Sequence, residues 1–292
     1  MRTHLVAVLA LVACKTNEPA KRAQPTDVIV VKPGAAPGRA VRYAVAKGAH
    51  TTVELATDWK VTAGDIANVL PTIVTTFDIT CEDVDKTGGM VLHARVNDAA
   101  AHEKAESGIN PASLAPLLDP LKGYVLRVTL APDGRISPAT FEAPPAGSGS
   151  SGSGEGSAAV AEQLTSLAGS LQQLSIALPT APIGVGAEWK TSRTIEQGGM
   201  KLTSTTTLDV TSLDATTIGF TLTSEIKGAD QTVTQSGISV DLKDVGGTAT
   251  GKGTIDLAKG VTTGELHFDL HTQMAAAGSS TPMRAQTDIV IR

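Results

Sequence analysis

Between Ile73 and Glu82 the chain alternates. Ile73, Phe77, Ile79 and Cys81 fall on one side of an extended backbone, and Thr76, Asp78, Thr80 and Glu82 fall on the other. Leu266, Phe268 and Leu270 alternate with His267, Asp269 and His271 in the same way. Successive side chains of a strand point to opposite faces, so each segment presents one apolar and one wet face. An antiparallel sheet packed on one side satisfies both. Hairpin punctuation is frequent: Lys86-Thr87-Gly88-Gly89, Asp133-Gly134, Gln197-Gly198-Gly199 and Asp244-Val245-Gly246-Gly247. Charged residues make up only 18% and aromatics 3% of the 292 residues. The abundance of alternating Val, Ile, Leu and Thr makes this a sheet composition and not a disordered one.

The strands recur. Residues 75–85 are TTFDITCEDVD and residues 206–214 are TTLDVTSLD, each followed by a turn and another alternating strand, Met90 to Val96 and Ile218 to Ile226. The hairpin Tyr124 to Leu130, Pro132-Asp133-Gly134, Arg135 to Phe141 has a counterpart in Gly253 to Leu257, Ala258-Lys259-Gly260, Val261 to Leu270. Upstream, Val53 to Lys60 matches Glu188 to Ile195, and Trp59 and Trp189 are expected as equivalent positions near these strands. The pattern predicts a duplicated β-meander.

Between the copies, Pro144-Pro145 leads into a Gly/Ser stretch and then an apolar periodicity. Leu164, Leu167, Leu171 and Leu174 recur at helical spacing after Ser157 as N-cap, predicting a helix from Ala158 to about Ser175. Weaker helical patterns cover Ala63–Leu70, Ala99–Glu106 and Pro111–Leu121. The expected fold is mainly β: a curved, half-barrel-like antiparallel sheet with one or more helices packed on its apolar concave face.

At the N-terminus, Leu5 to Ala13 is an apolar run of nine residues. That is too short to span a bilayer, which takes roughly 20 residues, but it fits a signal-peptide core. Leu11-Val12-Ala13-Cys14 resembles the bacterial lipoprotein lipobox. The resemblance implies cleavage before Cys14, acylation of that cysteine and a membrane anchor in the cell envelope. In the sorting rule of enteric bacteria, Lys15 in place of Asp points to the outer membrane. The chain therefore divides into a signal at 1–13, a lipidated Cys14 with a flexible tether to 38, and one meander at 39–145. A linker at 146–157 and a helix plus second meander at 158–292 follow. Within the tether, Val28-Ile29-Val30-Val31 has the makings of an edge strand.

Chemistry-bearing motifs are sparse. The net charge of −5 argues against a nucleic-acid partner. Cys81, the second of two cysteines, falls on the Phe77/Ile79 face and is expected as a core thiol. His267, Asp269 and His271 share a strand face, but the two histidines would stand roughly 13 Å apart, too far for one metal. Asp83-x-Asp85-x-Thr87-Gly88 resembles half an EF-hand loop, yet Ala94 stands where the closing Glu belongs, so a hairpin turn is expected. The Gly147-x-Gly149-x-x-Gly152 match lies in a Gly/Ser tract without a βαβ unit and is set aside. No cofactor, metal site or catalytic constellation is expected, and the chain reads as non-enzymatic.

Val41-Arg42-Tyr43, Lys47-Gly48, Leu178-Pro179, the run Pro182-Ile183-Gly184-Val185-Gly186-Ala187-Glu188-Trp189 and the terminal Thr287-Asp288-Ile289-Val290-Ile291-Arg292 strand resemble a family of uncharacterised secreted and lipid-anchored bacterial proteins. That likeness carries no known catalysis. On architecture alone, the expected fold also resembles the half-barrel lipoprotein carriers and acceptors of the bacterial envelope. Two functional expectations follow. One is an apolar ligand such as an acyl chain, held between sheet and helices by Phe77, Ile79, Leu164, Leu167, Leu171, Phe220 and Phe268. The other is a structural or protein-interaction module of the envelope. A hydrolase with an unrecognised site is the third and weakest reading.

Overall fold

The computed structural model describes residues 27–143, 164, 176–197, 200–235, 238–276 and 279–292. The strands are β1 (Asp27–Lys32), β2 (His50–Ala63), β3 (Ile66–Val69), β4 (Thr72–Val84), β5 (Met90–His102), β6 (Val125–Leu130) and β7 (Thr140–Glu142) in the first half. The second half adds β8 (Glu188–Gln197), β9 (Met200–Leu213), β10 (Thr217–Gly228), β11 (Gln231–Gln235), β12 (Ile238–Asp256), β13 (Val261–Ala276) and β14 (Ser279–Ile291). All fourteen belong to one curved antiparallel sheet, in the order β1-β8-β9-β10-β12-β13-β14-β2-β4-β5-β6-β7. β11 pairs with β12 and β3 with β2 off this path.

The two meanders thus lie side by side in reverse order, the second joined to the first where β14 pairs with β2. They enter alike: Gly48 and Gly186 both take positive φ (80° and 78°) before β2 and β8. In copy one Gly48 and Ala49 bond to Cys81, and in copy two Gly186 and Ala187 bond to Val210. The repeated Thr-Thr-apolar-Asp motif would instead equate Cys81 with Ser212, so motif and entry turn differ by two residues. Under neither alignment does Trp59 match Trp189. Trp189 pairs with Leu208, whose motif counterpart Phe77 pairs with Val53, six residues before Trp59. The expected equivalence of the tryptophans is therefore corrected.

The alternation places the core. In β9, Leu202, Ser204, Leu208 and Val210 are buried while Lys201, Thr203 and Thr205 are exposed. Buried side chains on the concave face form two clusters. The first gathers Trp189, Leu208, Phe220 and Ile255 with Cys81, Met90, Leu92 and Leu130 from the other half. The second gathers Val53, Leu55, Phe77, Val96 and Leu126 with Leu118, Leu121 and Leu164.

Between β1 and β2, and between Ile176 and Ala187, the chain crosses one end of the concave face. Tyr43 bonds Pro132 and Ala44 bonds Leu257 through the backbone, and Arg39 exchanges both backbone bonds with Ile183. Arg42 donates to the Pro179 carbonyl at 2.8 Å. This crossing accounts for the Pro182–Trp189 run. A Cβ on Gly184 would stand 1.8 Å from the Ala35 carbonyl oxygen, so only glycine lets the two segments pass. Val41, Ile183 and Ala187 then fill the end of the first cluster.

Helical expectations fared unevenly. Pro111–Leu121 is helical, as a 3-10 turn Pro111–Leu114, a short α-helix Ala115–Leu118 and a 3-10 turn Asp119–Leu121, with Asn110 capping Ala112. Ala99–Glu106 is not a helix. β5 continues to His102, with Ala99 opposite Thr75 and Ala101 opposite Ile73. Pairing with β4 overrides the intrinsic preference of alanine for helix. Ala63–Leu70 is likewise a hairpin: Gly64, at φ 56°, opens a two-residue turn that pairs Ala63 with Ile66. Of the helix expected at 158–175, only Leu164 is among the described residues. It is helical, 2% exposed, and packs in the second cluster. The signal segment, Cys14 and the Gly/Ser stretch also lie outside the described residues. β1 occupies part of the expected tether as the anticipated edge strand, with Val28 and Val30 turned to the core.

Candidate functional site

The concave face is the one surface where sheet curvature gathers side chains from many strands. The expected ligand-lining residues are distributed over it unevenly. Phe77 and Leu164 meet in the second cluster, Phe220 lies in the first, and Ile79 packs against both. Phe77 and Phe220 are 1% and 2% exposed, so both are core residues. Phe268 belongs to neither cluster and is half-buried. Leu167 and Leu171 are outside the described residues.

Register shows what surrounds Phe268. One row across the sheet is Thr206, Ser224, Ala249, Phe268, Thr287 and Trp59. The row on one side is Arg193, Ser204, Ile226, Gly247, Leu270, Ala285 and Val61. The row on the other is Leu208, Leu222, Gly251, Leu266, Ile289 and Thr57. Over β13, β14 and β2 these rows form a half-buried apolar band of Leu266, Phe268, Leu270, Ile289, Trp59 and Val61. On β12 the same rows carry Gly247, Ala249 and Gly251, and the neighbours lean across. A Cβ on Gly251 would lie 2.4 Å from Leu266 Cδ2, and one on Gly247 2.6 Å from Leu270 Cδ2.

Over β8, β9 and β10 the rows turn polar. Ser204 and Ser224 are buried, their hydroxyls 2.8 Å apart, and Thr206 Oγ1 donates to Ser224 Oγ at 3.0 Å. Arg193 stands directly opposite Ser204 and is the one charged side chain in the three rows. Its withdrawal from water lowers the guanidinium to about 10, which leaves it cationic at neutral pH. Sequence reasoning missed this polar end. Arg193 sits at an inward position of β8, two and four residues beyond Thr191 and Trp189, and that alternation was the available signal.

The other chemistry-bearing residues serve the fold. Trp189 is wholly buried and donates its indole N–H to the Ala177 carbonyl at 3.0 Å. Trp59 is half-buried. Cys81 is 1% exposed, with burial pushing its thiol above the ordinary range. Burial likewise raises the Tyr43 hydroxyl, which lies 3.4 Å from the Ile176 carbonyl. On the outer face His267 Nδ1 lies 2.6 Å from Asp288. Arg284 binds Asp269 through two nitrogens and holds its carboxyl below the usual range. Among the described residues no cluster of three His, Cys, Asp or Glu is placed to hold a metal. Asp85 makes the expected hairpin turn, accepting from Thr87 N at 2.7 Å, Thr87 Oγ1 at 2.6 Å and Gly89 N at 2.8 Å. Two shallow depressions are present. One, of about 440 Å³, is lined by Thr211, Phe220, Lys252, Gly253 and Glu265, so the edge of the Phe220 ring reaches it, and the other, of about 200 Å³, by Asp244, His271, Thr272 and Arg284.

A family model described as a family of unknown function (DUF6263) matches residues 163–262, which include β8 to β12. The matched span contains the polar end of the concave face and the Pro182–Trp189 run. No curated protein matches the chain.

Proposed function

We propose that this protein is a non-enzymatic, lipid-anchored component of the bacterial cell envelope that binds an acyl chain on its concave sheet face. The observation that carries the reading is the half-buried apolar band of Leu266, Phe268, Leu270, Ile289 and Trp59 beside two filled cores. Apolar side chains that the fold gathers but does not bury are a surface for an apolar partner. The lipobox-like Leu11-Val12-Ala13-Cys14 supports the anchor. Expression with a labelled fatty acid tests it: label should enter the chain and be lost in Cys14→Ser. Native mass spectrometry and fluorescent fatty-acid titration of the Cys14→Ser chain test the ligand. Bound lipid and saturable titration are expected, and the absence of both defeats the ligand reading.

A second reading is an interaction module. Ile29 and Val31 are 63% and 45% exposed on the outer face of β1, which ends the sheet. An edge strand with exposed β-branched residues is a template for another strand. Crosslinking in cells should then capture a partner through β1, and a pull-down without a stable partner counts against it.

A further inference from the structure

Resting on the interaction-module reading, we infer that the partner of β1 is a second copy of this chain, paired antiparallel through β1 about a two-fold axis at Ile29. The two edges of the sheet differ. β7 ends one side with three residues, and very short edge strands are poor templates. β1 ends the other side with six, Asp27-Val28-Ile29-Val30-Val31-Lys32, and among the described residues no strand pairs with its free flank. Val28 and Val30 pack on the first cluster, while Ile29 and Val31 are 63% and 45% exposed.

The backbone decides the class of occupant. Two exposed apolar side chains alone would suit any apolar surface. The free N–H and C=O groups of an edge strand need hydrogen-bond partners as well, which the hydrocarbon of a bilayer does not offer and another strand does.

The sequence decides which strand. Residues directly opposite in an antiparallel pair share a face, so self-pairing must keep Val28 and Val30 inward and Ile29 outward on both copies. An axis through Ile29 does this with like against like. Ile29 meets its own counterpart, and Val28 meets the second copy's Val30. The same register sets Asp27 against the second copy's Val31, next to its Lys32. Asp27 carries no ion pair among the described residues, and Lys32 reaches only Glu188, so opposite charges meet at both ends of the contact. A parallel pairing in register would instead oppose Asp27 to Asp27 and Lys32 to Lys32. An axis at Val30 would set Val28 against Lys32 and carry the pairing past the bulge at Val31. That bulge, followed by Pro33, confines the contact to Asp27–Val31.

So short a contact is weak in free solution and gains from tethering. Residues 15–26 separate Cys14 from Asp27 and span at most about 40 Å. The axis sets the two Asp27 residues only about 13 Å apart, so both copies can keep their anchors in one membrane. A two-fold contact also closes on itself, so pairing through β1 stops at the dimer.

Sedimentation of the full chain carrying Cys14→Ser reads the oligomeric state. A monomer–dimer equilibrium is expected, with dimer prevailing at about 100 µM. Ile29→Lys brings two lysines together at the axis and should raise the dimer Kd at least about tenfold. Its far-UV circular dichroism should match the parent, because Ile29 is exposed. Mild oxidation reads the register. Cys81 is buried, so the parent should not crosslink. Ile29→Cys should form a disulfide dimer, its opposed Cβ atoms being roughly 5 Å apart. Asp27→Cys and Val31→Cys should each fail to crosslink alone, with like positions about 13 Å apart, and should crosslink when mixed. A parent chain that is monomeric at about 100 µM overturns the self-pairing, and so does a dimer that Ile29→Lys leaves intact. Self-crosslinking of Asp27→Cys or Val31→Cys without that of Ile29→Cys overturns it as well. Capture of a different protein through β1 by a monomeric chain overturns this partner and leaves the interaction reading standing, whereas capture of nothing through β1 defeats that reading too.

Discussion

Replacing Trp189 with phenylalanine tests how the capped end of the sheet is held. The indole is wholly buried, and its N–H is bonded to the Ala177 carbonyl at 3.0 Å. Phenylalanine removes the donor and leaves that carbonyl buried without it, which costs about 1–3 kcal/mol. The smaller ring leaves a void of a few tens of Å³, and at ~24 cal/mol per Å³ this adds roughly 1 kcal/mol. The sum is about 2–4 kcal/mol. With an m-value of about 3 kcal/mol/M, the urea midpoint should fall by on the order of 1 M. Trp59→Phe is the matched control, because the same atoms are removed from a half-buried position. Its cost should stay under about 1 kcal/mol. Urea titrations followed by far-UV circular dichroism compare the two variants with the parent. If Trp189→Phe shifts the midpoint no further than Trp59→Phe, the Ala177 bond is not what fixes the crossing segment.

Leu164→Ala should cost about 2–5 kcal/mol, because Leu164 is 2% exposed in the Phe77 cluster; hydrogen exchange should rise first in β4 and β5, and unchanged exchange there would refute the contact. Gly184→Ala should release the segment around Ala35, since its Cβ would meet the Ala35 oxygen at 1.8 Å; limited proteolysis near residues 33–38 should accelerate, and equal cleavage would show that the two segments do not pass so closely. Asp85 has its carboxyl lowered first by the Thr87 hydroxyl and then by the Gly89 and Thr87 amides. A depressed carboxylate contributes stability above its unfolded value of about 3.9 and loses it as pH falls through the lower folded value. The parent should therefore lose its stability advantage over Asp85→Asn as pH drops below about 4, and a difference between the two that is constant from neutral to acid pH would sink this account of the turn.

The strands were legible because burial on one face imposes a period of two, and the period survives any choice of partner. Phe77, Cys81, Phe220 and Leu208 lie on the buried side their alternation dictates. What alternation does not encode is which strand pairs with which. Nothing local in Leu55 announces Ile291 as its neighbour. The two false helices failed for the same reason. Ala99 and Ala101 carry a helical preference of a fraction of a kcal/mol per residue, which a long ladder against β4 outweighs. The candidate site was half visible. Phe268 stood out as an inward aromatic, but its row with Trp59 and Ser224 depends on the register of five strands. Arg193 was hidden because a single arginine in a Thr-rich strand looks like ordinary surface until Ser204 is found opposite it.

The junction of β14 with β2 also sets a timetable. Glu54 and Arg292 are ion-paired across 238 positions of sequence, and Lys32 meets Glu188 across 156. Such long loops must close before their contacts reward them, so folding should be slow compared with a sheet of local hairpins. A chain emerging N-terminus first presents β2 with one flank bare until β14 arrives, and β1 with no partner until β8 does. During that interval Ile29, Val31 and the long flank of β2 are open to any strand in reach. A protein built this way gains from a holding factor at the site of its emergence, and its most aggregation-prone moment falls just before its last strand docks.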